Sequence, residues 1–296
     1  MPAYRAALAP PLLRVAGGLL VAVAAFLVGL PAVAAGQSAD ALVERIGEYV
    51  AGYYARTHSI VAEEHVRVQR LKRDLSLDGF ARRLVYELRI GWDPDAGPDE
   101  DPATITRWLV RVNDRPAPSD PERECLDPHT VSPAPLAFLL PGRRDRFRFR
   151  EAGPGHTAGR PAVMLDYAAT TPEPPVAEWN DDCVSIDLPG RTRGRVWVDP
   201  ATFEVLRLDE GIAGIVEIPV PVELQRGGAP RELTLDRVDT TIEYRHVTFT
   251  APAETILLPS RIETMSVFRN GGSPRVLTTQ TFENYRRFIT GSRIVR

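Results

Sequence analysis

The chain of 296 residues contains two cysteines, one lysine and none of the short motifs that mark common catalytic centres. It has no C-x-x-C pair for redox chemistry or zinc, no G-x-S-x-G for a nucleophilic serine and no glycine-rich phosphate loop. The five histidines are scattered, and the tight cluster Glu63-Glu64-His65 offers too few ligands for a metal. These absences predict a protein that is not an enzyme and holds no metal or cofactor.

The positive charge of the chain comes almost entirely from arginine, since Lys72 is its single lysine. Lysine and arginine together number 36 against 39 acidic residues, a net charge of −3. A chain with this balance has no general attraction to nucleic acid, so we expect no nucleic-acid partner. We interpret the arginine bias as the codon usage of a GC-rich genome and not as a sign of function.

Residues 1–34 predict a secretory signal peptide. Arg5 and Arg14 provide positive charge without any acidic residue, and an almost purely apolar run, residues 15–30, follows. Residues 31–35, Pro-Ala-Val-Ala-Ala, place small side chains where a signal peptidase needs them. The alternative is a retained membrane anchor, but the apolar run is shorter than the ~20 residues that span a bilayer. We therefore expect an exported protein, periplasmic or associated with the outer envelope of a bacterium, that meets membranes only through this segment or peripherally.

Both cysteines, Cys125 and Cys183, lie after this segment in polar stretches of the chain. An exported protein with two cysteines most simply forms one disulfide, so a Cys125–Cys183 bridge is predicted. In the chain-entropy model, closing a loop of this length stabilises the fold by about 4 kcal/mol at most.

Residues 39–56 form the clearest predicted helix, and residues 136–140 predict one or two further helical turns that Pro141-Gly142 ends. In the first helix, apolar residues recur at every fourth position: Leu42, Ile46 and Val50. Most of the remaining chain alternates with period two, the pattern of β-strands. Residues 35–296 should therefore form a single domain of the α+β class that is mainly antiparallel β. We expect a curved half-barrel sheet covered by an N-terminal helix and a short mid-chain helix.

The turn signals suggest how the strands are connected. Residues 59–74 and 79–90 flank Asp78-Gly79, which predicts a hairpin with its turn there and with Phe80 on the core face of the second strand. Because consecutive strands tend to pair, we expect a meander. Residues 170–183 predict an irregular loop.

Two stretches carry apolar residues on both faces of a predicted strand. Val196, Trp197 and Val198 are consecutive, and Trp108 is followed by Leu109 and Val110. A half-exposed strand would alternate instead, so we expect the second face of each strand to be covered by a helix or a closed cavity. Trp108 and Trp197 are therefore candidate ligand-binding residues.

The densest charge run is residues 143–150, in which Phe147 and Phe149 alternate with arginine. On a strand, Arg146, Arg148 and Arg150 would share one face and the phenylalanines would take the core face. The simpler interpretation is a solvated face. The functional interpretation is a site for an anionic partner such as a lipid phosphate. Basic and aromatic residues together can also bind single-stranded nucleic acid, but buried phenylalanines and export argue against it.

Three stretches carry a resemblance to a known group: SIVAEEH, WLVRVNDRP and GRVWVDPATFEVLRLD. They resemble exported bacterial proteins of unassigned function whose fold is similar to the periplasmic lipoprotein carriers LolA and LolB and to the regulator RseB. The resemblance implies a half-barrel, in which helices close a curved antiparallel sheet over an apolar cavity for acyl chains. No ligand residue of the carriers matches a position here, and function does not follow from fold alone.

We therefore expect a non-enzymatic protein of the cell envelope that binds an apolar or acylated ligand, a lipid or a lipoprotein, between sheet and helices. A protein–protein module, such as a sensor or assembly factor, is a second hypothesis. A hydrolase whose residues meet only in three dimensions is a third. A deep apolar cavity would favour the first hypothesis, a large exposed apolar patch the second, and a cleft with convergent titratable groups the third.

Overall fold

The computed structural model describes residues 39–93, 95, 103–118, 136–180, 183–225, 230–269 and 275–287. In this part of the chain one α-helix, α1 (Ala39–Thr57), is followed by fourteen β-strands and three 3-10 helices. The strands are β1 (Ile60–Leu71), β2 (Leu77–Trp92), β3 (Ala103–Val112), β4 (Arg115–Pro116), β5 (Phe147–Thr157), β6 (Arg160–Ala169), β7 (Val176–Asn180), β8 (Cys183–Asp187), β9 (Thr192–Val198), β10 (Val205–Ile212), β11 (Val216–Pro219), β12 (Glu232–Thr250), β13 (Ala253–Phe268) and β14 (Arg275–Arg287). The 3-10 helices are Ala137–Leu139, Arg144–Arg146 and Val222–Leu224.

Twelve of these strands form one antiparallel sheet, and β7 pairs only with β8 in a second, two-stranded sheet. The order in the large sheet is β4-β3-β2-β1-β14-β13-β12-β10-β9-β6-β5, and β11 also pairs with β12. Within the described residues the end strands β4 and β5 do not pair with each other, so the sheet is open. The predicted α+β class, with a mainly antiparallel half-barrel sheet, is confirmed.

The sheet curves toward α1. This helix contacts both β2 and β5, and seven other strands lie between these two in the sheet. Eight strand-to-strand steps cover about 38 Å in a flat sheet, whereas a helix of 19 residues is about 28 Å long. One helix reaches both strands because the sheet bends around it. We call the face toward α1 the inner face and the opposite face the outer face.

The main core lies between α1 and the inner face. The predicted stripe of the helix is buried, together with Val43, Tyr53 and Tyr54. Gly47 also lies on this side, and a Cβ there would stand 2.8 Å from the carbonyl oxygen of Leu139. Glycine at this position therefore allows the 3-10 helix Ala137–Leu139 to approach α1. The two helical segments expected over the sheet are both present.

The hairpin of β1 and β2 is confirmed, but the prediction of its turn at Asp78-Gly79 is wrong. The chain reverses at residues 72–76, where the Asp74 carboxylate accepts hydrogen bonds from the Ser76 amide (3.0 Å) and hydroxyl (2.7 Å). Gly79 lies inside β2 with a φ of +67°. The register shifts between Val68 and Arg70 on the partner strand, so this glycine serves a β-bulge and not a turn.

Phe80 does not lie on the core face, contrary to the alternation pattern; its side chain is fully exposed. It follows the bulge directly, and β3 pairs with β2 only from Leu84 onward. Among the described residues, the strand end that carries Phe80 therefore has no neighbouring strand on the β3 side. The later apolar residues of β2 are buried as predicted: Leu84, Tyr86, Leu88 and Ile90.

Two further expectations need correction. The sheet is not one meander, because its first strand in sequence, β1, pairs with its last strand, β14, in the middle of the sheet. Residues 170–183 are not simply a loop, since β7 lies within them. The β7–β8 hairpin is held by a small apolar cluster that includes Trp179 and Ile186 packed against Ile218. Neither long-range contact carries a local sequence signal.

Candidate functional site

A small cavity lies between α1 and the inner face, with walls that are almost entirely apolar. Its volume is about 30 Å³, room for roughly one water molecule. Both layers of the fold and the segment before the first 3-10 helix contribute to its walls. The lining residues are Tyr53, Tyr54, Leu88, Ile90, Ile105, Arg107, Leu136, Tyr244, Pro259, Ile262, Phe282 and Tyr285.

One buried ion pair forms a polar corner of this cavity. The Arg107 guanidinium donates to the Glu64 carboxylate over 2.6 Å, and the two side chains are 10% and 0% exposed. Burial raises the pKa of Glu64, and the charge and hydrogen bond of Arg107 oppose that rise. As the sequence predicted, Glu64 faces away from Glu63 and His65. Arg107 was not among the predicted site residues. It is two positions from both Ile105 and Leu109 on β3, so strand alternation places it on the same face as these apolar residues.

Four tyrosines surround the same cavity, and their hydroxyls differ in how they are satisfied. The Tyr285 hydroxyl donates to the carbonyl oxygen of Pro259 (2.5 Å), and the Tyr54 hydroxyl accepts from the Leu136 amide (3.3 Å). Burial raises the pKa of Tyr244 well above its usual value. Its hydroxyl is buried and has no hydrogen-bond partner among the described residues. The Tyr244 hydroxyl and the Arg107 guanidinium, which is held by Glu64, are two polar groups that a molecule in the cavity would meet.

Trp197 lies on the outer face, so the expectation that a helix covers it is wrong. Val196 and Val198 are fully buried on the inner face under the helical layer. Trp197 is half-buried by residues of neighbouring strands, Ala162, Leu206 and Leu257. The Arg207 guanidinium lies over the indole ring, 5.0 Å from its centroid. Side chains of the sheet itself therefore cover the second face of this strand.

Trp108 also does not line the inner cavity, and the prediction that it is covered is wrong. Its side chain is 47% exposed, with the Arg89 guanidinium 4.5 Å from the ring centroid. Strand alternation accounts for this position, because the neighbours Ile105 and Arg107 face inward. The Arg89 guanidinium covers part of the exposed indole ring through a cation–π contact, so this tryptophan does not need a cavity.

The arginine run is divided between two elements. Arg146 belongs to the 3-10 helix Arg144–Arg146, so the prediction that it continues the strand face is wrong. Arg148 and Arg150 are exposed on β5. The alternate residues Phe147 and Phe149 turn inward as predicted and pack against Phe138.

An open groove on the outer face brings two of the predicted site residues together. Arg150 and Trp197 both line this groove, which has a volume of about 730 Å³. Arg150 donates to the Asp166 carboxylate over 2.9 Å, and Arg195 donates to the same carboxylate over 2.6 Å. The hydrogen bond from Arg195 is the main reason that the pKa of Asp166 is below its usual value. Trp108, Arg146 and Arg148 are not part of the groove lining, although Arg148 lies opposite Ala168, which is.

The remaining predictions concern residues that the structure describes only in part. Residues 1–34 and Cys125 lie outside the described ranges, and Cys183 begins β8. The disulfide stays a prediction, which intact-mass measurement with and without reductant can check. Among the described residues no group of three or more His, Cys, Asp or Glu side chains is arranged to hold a metal ion. No helix in those ranges is both long and apolar enough to cross a membrane.

Comparison with known proteins gives only structural neighbours: no family model matches the chain, and no curated protein does. A LolA superfamily protein from Nitrosomonas europaea is 10% identical, with a TM-score of 0.36 over 86% of this chain and 95% of that one. A DUF1329 family protein from Desulfovibrio piger is 10% identical, with a TM-score of 0.40 over 87% and 96%. A chain of the MucA/MucB complex of Pseudomonas aeruginosa is 12% identical, with a TM-score of 0.20 over 86% and 100%. The chain is similar to these structures at a level too low to transfer a ligand, a partner or a mechanism.

Proposed function

We propose that this chain is an exported, non-enzymatic binding protein of the bacterial cell envelope that takes an apolar or acylated ligand between α1 and the inner face. The proposal includes a cleaved signal peptide, residues 1–34, and a single domain, residues 35–296. The observation that carries it is the composition of the inner cavity. Apolar walls with a few convergent polar groups are typical of small-molecule sites, and the unpartnered Tyr244 hydroxyl is such a group.

The proposal requires α1 to move outward when a ligand enters. A cavity of about 30 Å³ is far smaller than the roughly 300–1,000 Å³ of ordinary ligand pockets. The helical layer is the element best suited to move, because α1 is a single helix placed on a continuous twelve-stranded sheet. Separation of α1 from the sheet would expose Tyr53, Leu88 and Ile262, which the ligand would then cover.

The test is uptake of a fluorescent long-chain fatty acid by the mature protein. Leu88→Phe and Ile262→Phe fill the cavity and should each weaken uptake by about tenfold or more. Each overpacked core costs about 1–3 kcal/mol of stability. Leu208→Phe is the matched control, because Leu208 is equally buried on the inner face but does not line the cavity. The control should lose similar stability and keep uptake. An equal loss of fatty-acid uptake in all three variants would exclude this site. Absence of uptake by the unaltered protein would exclude it as well.

A second function, a partner-binding module of the envelope, is favoured by the tip of the β1–β2 hairpin. Leu75, Leu77 and Phe80 are all exposed within six positions of this tip. Large apolar side chains clustered in this way mark interaction sites more often than scattered ones do. A photo-crosslinking residue placed at position 80 should capture a specific partner in cells. The same probe at exposed Val222 should capture none, and identical products from both positions would contradict the module.

A further inference from the structure

The outer groove is formed by neighbouring strands that place arginines beside very small residues. Across the antiparallel register, Arg148 of β5 lies opposite Ala168 of β6, and Ala168 lies opposite Arg193 of β9. Arg193 in turn lies opposite Gly211 of β10. Ala168 leaves the backbone of the sheet as the floor between the two arginines, whose side chains rise on either side of it. At Gly211 the Asp239 carboxylate lies over the backbone, 3.3 Å from where a Cβ would stand.

The carboxylates beside the groove are already occupied by other arginines. Asp166 is shared by Arg150 and Arg195. Asp209 accepts two hydrogen bonds from Arg207, both of 2.9 Å, and Asp239 is paired with Arg237. Glu210 also contributes to the lining, but its carboxylate accepts a hydrogen bond from Tyr167, an inner-face residue. Among the described residues neither Arg148 nor Arg193 has a carboxylate within ion-pair distance. The residues that line the groove include four arginines and four acidic residues. Unneutralised positive charge is therefore confined to Arg193, inside the groove, and Arg148, at its edge beside the lining residue Ala168.

We infer that this groove binds a phosphate monoester or diester between Arg148 and Arg193. The two arginines lie two strand spacings apart, about 10 Å between their Cα atoms, a distance that two long side chains can bridge to one phosphate group. A guanidinium matches phosphate oxygens with two parallel hydrogen bonds, and two guanidinium groups can satisfy the several oxygens of one phosphate. Trp197 lines the same groove and offers an apolar surface to the organic part of the ester.

This site goes beyond the proposed function and does not depend on it. The groove is on the outer face, whereas the apolar cavity is on the inner face under α1. A protein that took up no fatty acid could still bind phosphate here, and the reverse also holds.

The test compares three forms of the mature protein: unaltered, Arg148→Gln/Arg193→Gln, and Arg261→Gln/Arg269→Gln. The last pair is the matched control, because both arginines are exposed and have a carboxylate partner, and they lie on or just after β13, away from the strands β5, β6 and β9 that carry Arg148, Ala168 and Arg193. The two double variants lose the same charge. Binding of glycerol 3-phosphate and of inorganic phosphate is measured by titration calorimetry at low salt. Binding of phosphatidylglycerol vesicles and of phosphatidylcholine vesicles is measured by co-sedimentation. The Trp197 emission, assigned with Trp197→Phe, reports occupation of the groove.

The groove variant should bind the phosphate probes at least about tenfold more weakly, because each charge-assisted hydrogen bond contributes a factor of this order. The control should bind as the unaltered protein does. Saturable binding of glycerol 3-phosphate identifies a soluble phosphate ester, and binding confined to phosphatidylglycerol vesicles identifies a lipid headgroup. Equal weakening in both double variants would show a non-specific charge effect and overturn the site. Absence of saturable binding to every probe would overturn it as well.

Discussion

The ion pairs on the two faces of the sheet differ in how far they are exposed to solvent. The inner face buries the Glu64–Arg107 pair almost completely, while outer-face pairs such as Arg150–Asp166 and Arg261–Glu263 leave the arginine 81% and 47% exposed. An exposed ion pair contributes only about 0–1 kcal/mol. A buried pair contributes little net stability, but leaving one member unpaired is costly. The inner-face ion pair is therefore needed for stability. An outer-face arginine can exchange its carboxylate partner for an anionic ligand at little cost in stability.

The contrast also separates the two proposed sites by the kind of ligand each accepts. The inner cavity is apolar with one satisfied ion pair and one unpartnered hydroxyl, so it favours a hydrocarbon chain. The outer groove is open, and Arg193 in its lining and Arg148 at its edge have no carboxylate partner among the described residues, so this region favours an exposed anion. Substitutions of charged residues should consequently affect mainly stability on the inner face and mainly binding on the outer face.

The largest effect is expected for Arg107→Leu. This change leaves the Glu64 carboxylate buried without its partner, which typically costs about 3–5 kcal/mol. Urea unfolding of the mature protein measures the loss. The outer-face counterpart Arg261→Leu removes an exposed partner of Glu263 and should cost less than about 1 kcal/mol. The double variant Glu64→Gln/Arg107→Leu should recover part of the loss. Equal costs on the two faces would contradict the contrast.

Truncation of the two tryptophans should give intermediate effects of different size. Trp197→Ala removes a half-buried ring packed on Ala162 and Leu257, and we expect a loss of roughly 2 kcal/mol, below the 3–5 kcal/mol of a fully buried ring. Trp108→Ala removes a ring that is 47% exposed and should cost less than about 1 kcal/mol. Thermal and urea unfolding measure both variants. A larger loss for Trp108 than for Trp197 would show that the exposed ring has a structural role that its contacts do not explain.

The sequence predicted those features that depend on local periodicity. The stripe of Leu42, Ile46 and Val50 predicted α1, and alternation predicted the inward side chains of β2. Apolar residues on both faces of β9 also correctly indicated cover on both sides, but not its source. Leu206 and Arg207 come from the next strand of the same hairpin, but Ala162 and Leu257 are 35 and 60 positions away, and no local pattern reports the register that brings them to Trp197.

The candidate sites were harder to predict because each depends on strand register. Arg107 and Glu64 are 43 positions apart and meet because β2 pairs with both β1 and β3. Arg148 and Arg193 lie on either side of Ala168 because β6 pairs with both β5 and β9, and only Arg148 belongs to a visible charge run. The error at Gly79 has a similar origin, since a glycine with positive φ serves a bulge as well as a turn.

A smaller, pH-dependent effect is expected for Glu210→Gln. Burial raises the pKa of Glu210, although a hydrogen bond from the Tyr167 hydroxyl (2.7 Å) acts against this shift. A carboxyl whose pKa is higher in the folded state holds its proton more tightly there, so its contribution to stability falls as pH rises above the unfolded pKa. The unaltered protein should therefore lose stability relative to the variant between about pH 4.5 and neutral pH. Unfolding free energies measured across this range give the difference, and a difference independent of pH would exclude the shift.

The smallest effect is expected for the triple variant Arg146→Gln/Arg148→Gln/Arg150→Gln. All three arginines are exposed, and exposed substitutions usually change stability by no more than about 0.5 kcal/mol each. Asp166, which loses Arg150 as a partner, keeps its hydrogen bond from Arg195. Urea unfolding should therefore show a fold almost as stable as the original, with Phe147 and Phe149 still packed on Phe138. A loss above about 2 kcal/mol would mean that these arginines support the sheet edge. The outer face would then resemble the inner face in needing its charges for stability.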